Sequence, residues 1–194
     1  MEDMKVIAHA SLAAFVALFA VSGAVNAEEA QQSIDFDGET YQHAHHAGGA
    51  VLILDEFLRK SDTLEVWSRL VAIRRYMKET DPERAARALV ATLKDNSAVL
   101  GHKIIGKQDG SEYLVDFMMQ RTEPSYIFEF NIFRFVRAEG ALVSYQFAYA
   151  ARGSDLNQRV MADFGGMDKF QRKRVEWISM MTRVSWPVPK IEDK

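Results

Sequence analysis

Tyr126-Ile-Phe-Glu-Phe-Asn-Ile-Phe-Arg-Phe-Val-Arg137 and Ala141-Leu-Val-Ser-Tyr-Gln-Phe-Ala-Tyr-Ala-Ala151 are two long β-rich runs joined by Ala138-Glu139-Gly140. Their pattern predicts the central hairpin of an antiparallel sheet. In the second run Val143, Tyr145, Phe147 and Tyr149 point one way, and Ser144, Gln146 and Ala148 point the other. In the first run Phe128, Phe130, Ile132 and Val136 share a face. The opposite face mixes Ile127, Glu129, Asn131, Phe133 and Phe135, so this strand is expected to be covered on both sides.

Outward from this hairpin the chain alternates strands with a few helices. Asp37-Gly38 is a turn between Ser33–Phe36 and Thr40–His46. Gly48-Gly49 punctuates, and Ala50–Leu58 reads as a buried strand with charge at its far end. Ser61–Trp67 reads as a short capped helix that anchors Trp67, followed by a strand from Leu70 to Met77. Thr80-Asp81-Pro82-Glu83 starts a helix running to about Asn96. Its apolar stripe is Ala86, Leu89, Val90 and Leu93. His102–Gly106 and Glu112–Arg121 form another hairpin, turning at Gln108-Asp109-Gly110. Arg152–Gly166 is irregular or partly helical, and Met167–Trp186 is a terminal helix stopped by Pro187 and Pro189. Hairpins with segregated helices mean α+β: an antiparallel β-sheet packed by two main helices.

A chain of 194 residues, 48% hydrophobic, builds one core. A net charge of −3 argues against a general nucleic-acid binder. The absence of cysteine excludes disulfides, a thiol nucleophile, thiolate metal sites and a lipid-modified N-terminal cysteine.

The N-terminus reads as a targeting segment. Lys5 precedes an apolar run from Val6 to Val21, and Val25-Asn26-Ala27 fits the small-x-small rule for signal peptidase. Residues 1–27 are therefore expected to be a signal peptide, cleaved between Ala27 and Glu28. Glu2 and Asp3 are acidic where a signal wants positive charge, so Met4 competes with Met1 as the start. Residues 28–194 then form one exported domain, periplasmic or extracellular, opening on a loose hairpin over 28–49. No later run is long and apolar enough to span a membrane.

Asp55-Glu56-Phe57, Thr63-Leu-Glu-Val-Trp-Ser68, the strand Leu70–Ile73 and the Asp81-Pro82 helix follow one another in an order similar to the Mog1/PsbP-like α/β/α sandwich. The resemblance covers element order over most of the chain and includes no catalytic motif. It implies an exported scaffolding or assembly protein, and it carries over no site residue.

Three groups of residues carry candidate chemistry. In His43-Ala44-His45-His46, regular strand alternation puts His43 and His45 on one face and His46 on the other. Two imidazoles at that spacing can chelate Zn²⁺ or Cu²⁺, with His102, Asp35 or Asp37 as a third ligand. The competing reading is an exposed polar strand. Asp116, Glu129, Asn131 and Gln146 would meet on one sheet face if the two hairpins are neighbours, which a hydrolase could use for acid–base work. Against that, such residues usually form a sheet's polar face. Lys169, Arg172, Lys173 and Arg174 make a basic run on the terminal helix, suited to a protein partner or an anionic envelope surface, or simply to solvent. The sequence holds no Gly-x-Ser-x-Gly, His-Glu-x-x-His, Gly-x-Gly-x-x-Gly or phosphate-loop motif. The leading expectation is a non-catalytic binding or envelope-associated module, followed by a metal-binding protein and then a hydrolase.

Overall fold

Turn chemistry and strand pairing build the sheet from local steps. A computed structural model describes residues 33–121, 126–153 and 156–190. The expected signal peptide and its cleavage point lie outside the described residues. Strands β1 (Ser33–Phe36), β2 (Glu39–Gly48), β3 (Leu52–Leu58) and β4 (Arg69–Tyr76) pair in succession. Strands β5 (Val99–Gly106), β6 (Glu112–Arg121), β7 (Ile127–Ala138) and β8 (Ala141–Arg152) do the same. Asp37-Gly38 and Glu139-Gly140 turn with positive φ at both residues, as tight hairpins require. A single long-range pairing, β4 with β8, fuses the two meanders into the order β1-β2-β3-β4-β8-β7-β6-β5.

The expected α/β/α sandwich, a sheet packed by two main helices, is not what forms. The chain is an eight-stranded antiparallel sheet curled into a half-barrel, with only 23% helix. The three helices are α1 (Pro82–Lys94), α2 (Leu156–Phe164) and α3 (Met167–Met181). One stretch of α3 shows how strongly the sheet curls. Lys173 and Trp177 bind Asp37 of the β1–β2 turn, while Arg174 binds Asp116 of β6. These strands are six places apart in the sheet, about 29 Å if it were flat. The accumulated twist of eight strands instead wraps the sheet around α3.

Two further expectations change. Ser61–Trp67 is a loop, not a helix. The Asp62 carboxylate closes it by accepting from the backbone N–H groups of Ser68 and Arg69, so its capping chemistry serves a turn. Trp67 still anchors the loop, at 6% exposure. Helix α3 ends at Met181, and the following segment turns at Thr182 and Arg183 and runs on without regular structure, placing Trp186 against Phe36 and Tyr145.

β7 is covered on both sides, as its composition requires. Phe128, Phe130 and Ile132 face α3, together with Phe147, Tyr149, Phe170 and Trp177. Phe133 and Phe135 face α1, packing with Ala86, Leu89 and Leu93. A third cluster gathers Leu58, Leu70, Ala72, Ala148 and Ala150 around Trp67.

Asp81 caps α1, accepting from the N–H groups of Glu83 and Arg84, with Pro82 in the first turn. Just before it, the buried Glu79 accepts from the N–H groups of Thr80 and Asp81 and is clamped by the Arg84 guanidinium at 2.7 Å. Burial opposes charge on Glu79, but the Arg84 and backbone bonds outweigh it and hold its pKa below the usual value. At Glu112 burial is likewise outweighed by hydrogen bonds from Arg134 and Lys107. Both folded pKa values lie below the unfolded ones. The stabilisation is therefore present above the unfolded carboxylate range, about 4, and is lost as pH falls through the folded values. Melting temperature should fall steeply as pH drops below about 4. The acid-dependent part should shrink in Glu79→Gln, read from melts between neutral and strongly acid pH. An unchanged slope would show that this clamp does not couple to folding.

Candidate metal centre

Strand β2 outruns its neighbour β1: only Glu39–Gln42 pair with β1, and the rest pairs with β3 alone. Its register against β3 is His43↔Phe57, His45↔Glu56 and His46↔Asp55, with a bulge between His43 and His45. The extra residue, Ala44, shifts the alternation by one place. His43 and His46 therefore share a face with Asp55, while His45 lies opposite beside Glu56. This differs from the His43–His45 pairing expected of a regular strand.

The geometry is compact. His46 Nδ1 lies 2.6 Å from Asp55 Oδ1, and His43 Nε2 lies 3.3 Å from the same oxygen. One ligand atom from each of the three residues lies within 4.8 Å of the others. The Asp55 side chain is 12% exposed, against 33% and 38% for His43 and His46. The carboxylate is thus held from within the sheet while the imidazoles open toward solvent. Phe57 meets the His43 ring edge-to-face at 5.3 Å and limits its tilt. Gly48 leaves space beside His46, since a Cβ there would sit 3.3 Å from Nε2.

Two imidazoles and one carboxylate suit a borderline divalent ion such as Zn²⁺ or Cu²⁺, rather than Ca²⁺ or Mg²⁺. Ligand atoms about 2.0–2.1 Å from tetrahedral Zn²⁺ are roughly 3.3 Å apart. The His43–Asp55 separation already matches that spacing. The shorter His46–Asp55 contact, 2.6 Å, would have to open to admit such an ion. Three protein ligands leave at least one coordination position for water or an exogenous group.

The other expected third ligands are elsewhere. Asp35 accepts from the Thr40 hydroxyl, and Asp37 is bound by Lys173 and Trp177. His102 is on β5, at the opposite edge of the sheet. Asp55 went unrecognised at the sequence level, although its signal was a carboxylate inside the apolar run Leu52–Leu58. Only the β2–β3 register brings it to the histidines.

The expected carboxylate cluster is divided by the sheet. Asn131 and Gln146 do meet, with Gln146 Nε2 donating to Asn131 Oδ1 at 2.9 Å. Glu129 pairs with Arg121 at 3.0 Å. Asp116 pairs across to Ile132 and points to the other face, where Arg174 holds it. Asp116 and Glu129 therefore do not form a carboxylate pair.

In the basic run, Lys169 and Arg172 are exposed on α3, whereas Lys173 is committed to Asp37 and Glu176 and Arg174 to Asp116. Two of the four cations therefore fasten the helix to the sheet. Among the described residues no helix is long and apolar enough to cross a membrane.

One protein-family profile matches the chain, over residues 28–184. No curated protein and no solved structure matches it.

Proposed function

The chain belongs to this uncharacterised family, and we propose that it is an exported, envelope-associated protein that binds a divalent transition metal through His43, His46 and Asp55. The supporting observation is the bulge at Ala44, which turns two histidines toward one buried carboxylate. Export rests on the Val25-Asn26-Ala27 cleavage pattern and the apolar run before it. A site built without thiolates suits an oxidising compartment. His43 Nε2, His46 Nδ1 and an Asp55 oxygen would hold the ion, which would supply Lewis acidity at its open position. Binding requires neutral imidazoles, so it releases protons and weakens in acid.

Thermal melts with Zn²⁺, Cu²⁺ and Ni²⁺, with and without chelator, test this reading. An ion at a hundredfold excess over its Kd should add about 2.7 kcal/mol to the native state. The shift should reverse with chelator and vanish in Asp55→Ala. No shift with any of the three ions would defeat the metal reading. In the same preparation, a mature N-terminus at Glu28 in the periplasmic or secreted fraction is the expected sign of export.

A further inference from the structure

Strand β1 is an edge strand: β2 pairs with it on one side, and no described strand pairs with it on the other. The turn after it decides which main-chain groups face that open side. Asp37 and Gly38 both have positive φ, so they form a two-residue primed turn. Such a turn makes Phe36 and Glu39 a hydrogen-bonded pair, and alternation then points the N–H and C=O of Asp35 away from β2. An open groove of about 320 Å³ lies here, between residues 35–38 and Met180, Arg183 and Val184 at the end of α3. Four consecutive residues line it, which alternating side chains alone could not do, so the main chain of β1 forms part of that wall.

The facing wall is apolar with one charge. Met180 and Val184 pack against the core beneath α3. The Phe36 ring is held by Phe147 at 4.8 Å and Trp186 at 5.5 Å, which fixes the strand side. A Cβ on Gly38 would meet nothing within 4 Å, so the turn leaves the mouth open. Arg183 is exposed, and among the described residues its guanidinium donates only to the Ser179 hydroxyl, at 3.2 Å. Asp37 lines the same groove but is taken by Lys173 and Trp177. A strand edge with an outward donor and acceptor, an apolar wall and a guanidinium without a carboxylate therefore meet in one groove. We propose that it takes the C-terminal end of an extended peptide whose last residue is apolar. The peptide adds a short strand to β1 through Asp35, its last side chain lies on Met180 and Val184, and its carboxylate meets Arg183. The volume is at the small end for a ligand site and suits about one or two residues rather than a long segment. The groove uses none of His43, His46 and Asp55, so it stands or falls apart from the metal reading.

The test is calorimetric titration of the full chain with the tripeptide N-acetyl-Ala-Val-Leu, its C-terminal amide, and N-acetyl-leucine. The tripeptide acid should bind saturably. The amide should bind about tenfold more weakly, because the charge-assisted bond to Arg183 is lost. Arg183→Gln, a change at an exposed side chain, should erase the difference between acid and amide. Asp35→Pro removes the outward N–H and leaves the β1–β2 ladder intact, which an edge strand tolerates. It should weaken the tripeptide about tenfold. If Asp35→Pro does not fold, the tripeptide methylated at each peptide nitrogen replaces it, and should bind the parent chain about tenfold more weakly than the unmethylated form. No saturable binding of the tripeptide acid, equal binding of acid and amide, or an acid preference that survives Arg183→Gln overturns the proposal. N-acetyl-leucine binding as tightly as the tripeptide would put a small acid in the groove and overturn strand addition.

Discussion

Trp177→Ala should lower the stability of the fold by about 3–5 kcal/mol, the largest effect expected of any single truncation here. Trp177 is fully buried on the concave side of the sheet. Its ring meets Phe147 at 4.9 Å, Phe130 at 5.9 Å and Tyr149 at 5.9 Å. Its indole Nε1 donates to Asp37 Oδ2 at 2.8 Å. One side chain thus joins the helix, the two central strands and the β1–β2 turn. Alanine would remove the apolar contacts and leave a cavity that an aromatic-lined wall closes poorly. It would also leave Asp37, whose side chain is 9% exposed, with one donor fewer. Trp177→Phe separates the two terms, because it keeps a ring but loses the indole donor. It should cost about 1–3 kcal/mol. Denaturant unfolding measures both variants. A loss below about 1 kcal/mol for alanine would mean that α3 is not seated in the curl of the sheet.

The second large effect concerns charge. Arg174 reaches Asp116, whose side chain is only 3% exposed. Arg174 also lies over the Phe130 ring, 5.4 Å from its centroid. Arg174→Met keeps much of the side-chain volume but strips Asp116 of its cation. Removing one member of a buried pair costs about 3–5 kcal/mol, because the remaining charge stays desolvated. The companion change Asp116→Leu should recover most of that loss, since an apolar pair avoids the desolvation altogether. Equilibrium unfolding of the single and double variants forms a complete cycle. If Arg174→Met were nearly neutral, the pair would be peripheral and the curl of the sheet would rest on apolar packing alone.

These predictions depend on the curl, and the curl was the part of the fold least visible in the sequence. Local features were legible. Asp37-Gly38 turns where its residues say it should, and Asp81-Pro82 opens α1 by chemistry confined to four residues. The two apolar faces of β7 were readable by alternation, and they do pack against different helices. The β4–β8 pairing was not readable, because it joins segments some 70 residues apart and neither strand names its partner. Without it, a sheet with two substantial helices looks like a sandwich. With it, eight strands accumulate enough twist to roll around α3, with Val160 and Phe164 of α2 packed beside it. The end of α3 was misread for a related reason. The helix was expected to run on to Trp186, but it ends at Met181, and Trp186 finds its place against Phe36 and Tyr145 from the irregular segment that follows.

The candidate site failed to be legible at a single residue. Alternation is a sound rule for a regular strand, and it paired His43 with His45. A bulge at Ala44 advances the count by one, so His46 replaces His45 on the shared face. Nothing in His43-Ala44-His45-His46 marks the extra residue. Asp55 was similarly hidden, since a carboxylate in Leu52–Leu58 reads as the end of a buried run until the register sets it opposite His46. The histidines themselves were evident as a group. Which two of them act together is a property of the β2–β3 ladder.

Calorimetric titration of the purified chain with Zn²⁺, comparing His45→Ala with Asp55→Ala, tests the metal centre most directly. The account predicts one equivalent bound by the parent chain, retained in His45→Ala and lost in Asp55→Ala. Binding lost in His45→Ala but kept in Asp55→Ala would show that the histidine tract captures zinc as a local peptide. The folded His43–His46–Asp55 site would then be wrong.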